Sequence, residues 1–191
     1  MTIERAGTAE RSELDDLFER LDPTHLPEGY KVEIVEGAAF MAQQWDVQWQ
    51  TVRRIVRALD DRFGMNAPVT SDVRIDFPGE LNGFAPDVAK FADDAEKDER
   101  GRWRYQDVEF VAEVISRGTG PNDYGPKRRA YALAEVPVYL IADPYLGRCR
   151  VFTDPQDGDY KSDLTVTYGM PIDLTHTVVG LTLSTEEFPR D

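Results

Sequence analysis

Residues 86–144 decide the fold, and they contain PDVAKFA (86–92), DVEFVAEVIS (107–116) and YGPKRRAYALAEVPVYLIADP (124–144). The segment VEFVAEVI is nearly continuous in apolar and small residues, which is typical of a strand covered on both faces. RGTGPNDYG (117–125) predicts a loop, and the following residues predict a helix from about Pro126, whose missing N–H is not needed at a first position, to Glu135. VPVYLIADP predicts another buried strand. Strand, helix and strand are a candidate right-handed parallel crossover.

Two carboxylates lie among the apolar residues of this stretch, Asp87 and Glu113. Because side chains alternate along a strand, Glu113 shares a face with Val111 and Ile115. A buried carboxylate without a partner is strongly disfavoured, so Glu113 must meet a cation, hydrogen-bond donors or an opening in the sheet. Asp87 has the same requirement at the start of its strand.

Lys127 lies on the apolar stripe of the predicted helix. The members of the stripe are spaced three and four apart: Tyr124, Lys127, Ala130, Tyr131 and Ala134. Two carboxylates and an ammonium on neighbouring elements would suit one metal-assisted site, because carboxylates bind Mg²⁺ or Mn²⁺ and a lysine can hold a scissile phosphate or orient a water. A buried structural ion-pair network is the alternative, and periodicity alone favours neither.

The sequence before this stretch predicts three strands and two helices, and the third strand, within PVTSDVRIDFPG (68–79), ends at Pro78 and Gly79. YKVEIVEGAAFM (30–41) indicates short strands that meet at a tight turn at Gly37. Glu33 and Glu36 lie in or beside the first strand, and solvent exposure is the ordinary expectation for glutamate. A short amphipathic helix is predicted over residues 8–21, and a longer one over residues 46–63.

Arginines 53, 54 and 57 lie off the apolar stripe of the 46–63 helix. A phosphate-binding face is one interpretation, and a solvated face is the commoner meaning of such a run. Beyond Asp143, alternating segments indicate further antiparallel strands. The fold class is therefore α/β, with a mixed central β-sheet flanked by helices and extra antiparallel strands.

The composition is that of an ordinary soluble chain, with 30% charged residues and a formal charge of -14. Its 191 residues suit one domain, with an N-terminal helix and connection over 1–25 and a core over about 28–183. The negative charge argues against general nucleic-acid coating, which relies on Lys and Arg, but leaves room for a local basic patch. A single cysteine and two separated histidines give no zinc pattern. Without a signal-peptide pattern or an apolar run of membrane length, a cytoplasmic protein is expected.

PDVAKF, EFVAEVIS and DYGPKRRAYALAEVPVYLIADP together resemble the Uma-type family of restriction endonucleases, within the PD-(D/E)XK nuclease superfamily. KVEIVEGAAFM followed by a long helix resembles the N-terminal part of that family, so the likeness covers most of residues 28–183. The resemblance implies a restriction-endonuclease-like core, with Asp87 as the motif Asp and Glu113 as the motif Glu. It also implies that Lys127 supplies the lysine from the following helix, because the usual position holds Ile115.

The same resemblance implies that Glu33 assists the metal site and that Asp123 is the acidic residue ahead of the lysine helix. One departure is that the family often has a Pro and a His before the long helix, whereas this chain reads AQQWDVQWQ (42–50), with Gln48 or Trp49 near the His position.

The function that the resemblance implies is a Mg²⁺- or Mn²⁺-dependent endonuclease that hydrolyses phosphodiester bonds in DNA, with RNA as the other substrate to consider. Asp87, Glu113 and Lys127 would be catalytic, and Asp87, Glu113 and Glu33 would bind the metal. The acidic charge and the missing His favour the alternative, a nuclease fold kept as a binding or assembly module without catalysis. The family likeness and the need to act on two strands favour a homodimer.

Overall fold

The computed structural model describes residues 13–21, 30–43 and 46–191. Residues 13–20 form helix α1, which confirms the described part of the helix predicted over 8–21. Residues 1–12, 22–29 and 44–45, and with them the rest of that helix and the predicted connection, lie outside the described residues. No helix within the described ranges is long and apolar enough to cross a membrane.

The remaining helices and strands form two groups along the chain. The first group consists of β1 (Tyr30–Val35), β2 (Ala38–Gln43), α2 (Asp46–Phe63), β3 (Val69–Thr70), β4 (Ile75–Phe77), β5 (Asn82–Phe84) and β6 (Val88–Phe91). The second group consists of a 3₁₀ turn (Tyr105–Asp107), β7 (Val108–Val114), helix α3, β8 (Val138–Asp143), β9 (Arg148–Gln156), β10 (Asp159–Thr167), β11 (Ile172–Asp173) and β12 (Thr182–Leu183). Helix α3 has three consecutive pieces, Gly120–Asn122, Asp123–Lys127 and Arg128–Leu133. The bounds of α2 match the helix predicted over 46–63.

The larger sheet has six strands in the order β10-β9-β8-β7-β6-β3. Neighbouring strands are antiparallel except β7 and β8, which run parallel with Glu113 opposite Ile141. Helix α3 connects these two strands, so the predicted parallel crossover is confirmed. This sheet is the mixed central sheet of the α/β fold.

A second sheet has four antiparallel strands in the order β2-β1-β5-β4. The β1–β2 hairpin turns at Glu36 and Gly37, whose φ angles of 49° and 76° are the two positive values that a two-residue hairpin turn requires. Strand β1 lies beside β5, and the chain leaves β5 through Asp87 to enter the larger sheet. The predicted tight turn is therefore confirmed, and the antiparallel strands predicted beyond Asp143 are confirmed by the β9–β10 and β11–β12 pairs.

The two faces of the larger sheet bury separate apolar cores. Val111 and Ile115 pack on the face that α3 covers, together with Tyr131. Phe110 and Val114 pack on the opposite face against apolar residues of α2. Glu113 lies between Ala112 and Val114 in the strand and therefore shares the α3 face with Val111 and Ile115, as the sequence predicted.

Helix α3 begins at Gly120 and not at the predicted Pro126. Proline has no N–H and cannot donate the hydrogen bond that the interior of an α-helix requires. The chain widens here into a π-helical turn at Asp123–Lys127 that contains Pro126. The segment predicted as a loop is therefore partly helical, and its wide turn buries both Asp123 and Lys127.

Candidate active site

Buried charges meet where β1, the chain between β5 and β6, the end of β7 and helix α3 come together. Six residues form this charged cluster: Lys31, Glu33, Asp87, Glu113, Asp123 and Lys127. Glu33 corrects the expectation of solvent exposure, because its side chain is only 5% exposed. Glu33 contacts Lys127 in the charged cluster, whereas Glu36 in the hairpin turn is exposed as predicted.

The Lys127 ammonium lies at the point where three carboxylates converge. Its Nζ is 2.7 Å from Glu33 Oε2, 3.1 Å from Glu113 Oε1 and 3.2 Å from Asp123 Oδ1. Burial opposes the charged form, but Glu113, Glu33 and Asp123 outweigh that cost and raise the pKa of Lys127 well above its ordinary value. Lys127 is therefore a fixed positive charge at neutral pH.

The Lys31 ammonium holds the carboxylate of Asp87. Its Nζ donates to Asp87 Oδ1 at 2.6 Å and to the Ala85 carbonyl at 2.8 Å. The other oxygen, Asp87 Oδ2, accepts a hydrogen bond from the Val114 N–H at 2.7 Å. Burial works against the charged lysine, yet nearby carboxylates, with Asp87 the strongest, raise the pKa of Lys31. Asp87 is thereby fixed beside the end of β7.

Glu113 accepts hydrogen bonds on both carboxylate oxygens. Oε1 accepts from the Tyr131 hydroxyl at 2.6 Å and from Lys127 at 3.1 Å, and Oε2 accepts from the Asp87 N–H at 3.4 Å. Burial raises the pKa of Glu113 to about 8, although Lys127 and Lys31 act in the opposite direction. Without a further cation, the cluster therefore favours a protonated Glu113 at neutral pH.

Tyr131 connects the charged cluster to an aromatic core. Its ring makes edge contacts with Phe77 and Phe84, at centroid distances of 4.9 Å and 5.6 Å, and a tilted contact with Tyr139 at 4.7 Å. Edge-to-face pairs of this kind add roughly 0.5–1.5 kcal/mol each beyond burial. Because this packing fixes the position of the Tyr131 ring, it also fixes the hydroxyl that donates a hydrogen bond to Glu113.

Gln48 closes the site from the first turn of α2. Its Nε2 donates to the Ile115 carbonyl at 3.1 Å, and the side chain is buried, whereas Trp49 is 49% exposed. Of the two residues near the family's His position, Gln48 is therefore the one that lines the site. The cavity between Gln48 and the charged cluster has a volume of about 20 Å³, which is room for about one water molecule or ion.

The donor set of the charged cluster fits a hard divalent cation in chemistry and in charge. Four carboxylates face two ammonium groups, so the fully ionised cluster has an excess of negative charge. Asp123 Oδ1 is buried and accepts no hydrogen bond, although Lys127 Nζ is 3.2 Å away. Burial raises the pKa of Asp123, as it does for Glu113, which is the response of carboxylates that lack enough counter-charge.

In the structure a lysine ammonium occupies the space between the carboxylates, and the carboxylates do not form a preformed set of metal ligands. Within the described ranges, no three Asp, Glu, His or Cys side chains already stand at distances suited to one metal ion. The Lys127 ammonium lies between three of the carboxylates. Glu113 and Asp87 contact each other directly, because the Asp87 N–H donates a hydrogen bond to the Glu113 carboxylate.

The structure brings the four site residues predicted from the sequence into contact distance of one cluster: Asp87, Glu113, Lys127 and Glu33. Sequence reasoning missed Lys31 and Tyr131. Lys31 lies two residues before Glu33 in a strand, so alternation places both on one face. Tyr131 follows Lys127 by one helical turn on the stripe already recognised.

The mixed sheet, its β7–α3–β8 crossover and the carboxylate–lysine cluster define the class of restriction-endonuclease-like α/β proteins. The family model named Uma2, described as "Putative restriction endonuclease", matches residues 15–186. The chain therefore belongs to the Uma2 family, as the sequence resemblance predicted.

A solved structure is similar over nearly the whole chain. It is the crystal structure of a "putative nuclease belonging to DUF820" from Anabaena variabilis ATCC 29413, with a TM-score of 0.69 and 15% sequence identity. The match covers 92% of this chain and 96% of the other. At this identity the likeness shows the fold alone. A comparison with curated proteins found no match.

Proposed function

We propose that this protein is a metal-dependent endonuclease that hydrolyses phosphodiester bonds in DNA. The observation that carries the proposal is the convergence of Asp87, Glu113 and Lys127 in one buried cluster. Membership of the Uma2 family supports a nuclease. A purely structural role explains the cluster less well, because buried ion pairs often stabilise a core less than apolar residues of the same volume.

Asp87 and Glu113 would hold the metal ion, with Glu33 as an accessory ligand. The backbone sets the direction of two of these carboxylates, since Asp87 Oδ2 accepts from the Val114 N–H and Glu33 Oε1 accepts from the Ala85 N–H at 2.9 Å. The chemistry that Mg²⁺ or Mn²⁺ supplies when bound is neutralisation of charge on the scissile phosphate and easier deprotonation of a water.

Lys127 would contact an oxygen of the scissile phosphate. Because its pKa is raised, the ammonium keeps its proton and neutralises charge that develops in the transition state, but it does not act as a base. Lys31 acts through Asp87 and is a positioning residue, since its Nζ bonds to Asp87 and to the Ala85 carbonyl.

The purified protein is expected to nick or cut plasmid DNA with Mg²⁺ or Mn²⁺ and to leave it intact in EDTA. Metal uptake is measured separately, from the rise in melting temperature with added metal. A metal concentration ten times Kd stabilises the folded state by about 1.4 kcal/mol, which is a few degrees for a chain of this size. Asp87→Asn is expected to abolish both the shift and the cleavage, because it removes a charged ligand.

The possible outcomes of these two assays separate the candidate functions. Metal uptake without cleavage of DNA or RNA would identify a module that keeps the nuclease fold without catalysis. Cleavage of RNA alone would change the substrate but keep the site. Neither metal uptake nor cleavage by the wild type would refute the proposal.

Strand β2 is the surface that we propose for homodimerisation. Val35 and Ala38 flank the two-residue turn as a hydrogen-bonded pair, so the backbone N–H and C=O groups of Ala39, Met41 and Gln43 point away from β1. No strand of the described part of the chain pairs with that outer edge. AAFMAQ carries no charge, and Met41 is 62% exposed. A second copy could pair antiparallel about Met41 without meeting a like charge.

Met41→Lys is expected to convert a dimer into a monomer, because a charge at the centre of the paired edges repels its own copy. Sedimentation velocity over a range of protein concentrations measures the change. Leu164→Lys is the matched control, since Leu164 is also exposed on an edge strand, β10, that already carries Lys161 and Asp163. A wild type that sediments as a monomer at every concentration contradicts the proposed dimer.

A further inference from the structure

Three arginines surround the turn between β8 and β9. Arg117 donates a hydrogen bond to the Tyr145 hydroxyl. Arg190 lies directly over Gly147, where an added Cβ would be 2.8 Å from the arginine Cζ. Arg148 begins β9 immediately after that glycine. We refer to Arg117, Arg148 and Arg190 as the turn arginines.

The turn arginines differ from most cations of the described residues in having no carboxylate partner. Elsewhere arginines are paired, as for Arg74 with Asp15 or Arg129 with Glu36. None of the turn arginines forms an ion pair with a described carboxylate, and the buried Nε of Arg148 has no hydrogen-bond partner. In a chain of net charge -14, three arginines without an ion-pair partner among the described residues around one turn are guanidinium groups available to an anion.

The acidic residues at this turn are already committed to other contacts. Asp143 Oδ1 accepts the N–H groups of Tyr145 and Leu146 at 3.1 Å and 3.0 Å, and Oδ2 accepts from the Tyr124 hydroxyl at 3.2 Å. Asp191 accepts from the Tyr145 hydroxyl. Neither carboxylate forms an ion pair with a turn arginine, so the guanidinium groups keep hydrogen-bond donors for an external anion.

The turn arginines adjoin the charged cluster through the backbone. Arg117 follows Ser116, and both Ser116 and Thr119 line the cavity beside Glu113. The Ile115 N–H donates to the Ala142 carbonyl at 2.9 Å, which joins the end of β7 to the residue before Asp143. A strand of nucleic acid whose scissile phosphate lies at the cluster would thus pass the turn arginines with its neighbouring phosphates.

The arginines of α2 form the competing surface. Arg53, Arg54 and Arg57 line a groove of about 550 Å³ together with Leu183, Ser184, Glu186 and Glu187. Arg54 pairs there with Glu187 at 3.4 Å, and Arg57 pairs with Asp61 at 3.9 Å. Because carboxylates cancel the arginine charge in this groove, it is a poorer phosphate surface than the turn.

We infer that the turn arginines bind the phosphate backbone of the substrate DNA outside the scissile position. This inference rests on the proposed endonuclease function and assigns the surface that holds the substrate. Guanidinium groups suit phosphate oxygens, and contacts of this kind set position and affinity without reading sequence. The surface would explain how a strongly acidic protein binds a polyanion.

The test compares two double variants in a Glu113→Gln background, which prevents cleavage during binding measurements. Arg117→Ala/Arg190→Ala removes two turn arginines, and Arg53→Ala/Arg57→Ala is the matched control on α2. Fluorescence anisotropy of a short labelled DNA duplex gives Kd between about 50 and 200 mM KCl. Each lost phosphate contact lowers the slope of log K against log salt by about 0.9 and weakens binding about tenfold near 100 mM salt.

The expected result is a slope reduced by about two and a Kd raised well over tenfold for the turn variant, with the α2 variant close to the parent. Equal losses in both variants, no loss in the turn variant, or no DNA binding by the parent overturns the inference. Wild-type cleavage is measured in parallel, with Arg148→Gln as a further single variant. If the wild type cleaves DNA but the turn variant binds DNA as tightly as its parent, this inference alone is refuted. If binding depends on the turn arginines but the wild type does not cleave, the endonuclease function alone is refuted.

Discussion

Lys127→Met is expected to lower the rate of DNA cleavage about a thousandfold or more, because it removes the fixed positive charge that would neutralise the phosphate in the transition state. Metal uptake is expected to survive, since Asp87 and Glu113 keep their carboxylates. The cluster also loses one of its two ammonium groups, so the rise in melting temperature on adding Mg²⁺ should exceed that of the wild type. Single-turnover cleavage and thermal melting measure the two effects.

Lys90→Met is the matched control for this experiment. Lys90 is as deeply buried as Lys127, with side chains 2% and 3% exposed, but it lies on the opposite face of the same sheet. It pairs with Glu109, and its Nζ lies 4.2 Å from the centroid of the Phe63 ring. Removing it is expected to cost about 3 kcal/mol of stability and to leave cleavage intact below the melting temperature. Equal rates for the two variants under conditions where both are folded contradict the role of Lys127.

Periodicity alone was enough to locate Glu113 and Lys127. Each interrupts an apolar pattern whose other members are buried in the structure, namely Val111 and Ile115 on β7 and Ala130 and Tyr131 on α3. The α/β class and the parallel crossover followed from the same patterns. The pattern indicates burial less strongly for Asp87, because a residue at the start of a strand is often exposed. The family resemblance is the main reason for predicting Asp87 as a site residue.

The rest of the cluster depends on tertiary structure that local patterns do not contain. Whether Glu33 faces solvent or the interior is decided by the pairing of β1 with β5 and by its contact with Lys127. Asp123 reaches the cluster because the π-helical turn around Pro126 extends α3 toward its N-terminus. Lys31 gains its role only because the chain between β5 and β6 brings Asp87 to its ammonium.

In EDTA, the stability of the wild type is expected to fall as the pH rises from about 5 to about 9, and Glu113→Gln is expected to remove a large part of that fall. In the folded protein Glu113 holds a proton up to a pKa of about 8, compared with an ordinary value of 4.5. Between these values the folded state binds more protons than the unfolded chain, so stability present at low pH is lost as the pH increases. The loss amounts to a few kcal/mol.

Among the other groups of the cluster, Glu33 and Lys127 act outside this pH window, whereas Asp123 acts in the same direction as Glu113. The lowered pKa of Glu33 has the opposite sign and costs stability only as the pH falls below its ordinary value of 4.5. The raised pKa of Lys127 contributes stability that is lost only above the ordinary lysine value of 10.5. Asp123, whose pKa is also raised, adds a decline in the same direction as Glu113 and remains in the Glu113→Gln variant.

Thermal melting of the two proteins in EDTA, at several pH values from about 5 to about 9, measures the difference between their slopes. A few kcal/mol corresponds to roughly 5–10 °C for a chain of this length. Glu80→Gln is the control, because Glu80 is exposed and lies outside the charged cluster, and its replacement should leave the wild-type slope unchanged. A Glu113→Gln slope equal to that of the wild type would mean that Glu113 is already ionised in the folded protein across this pH range, which contradicts the raised pKa of Glu113.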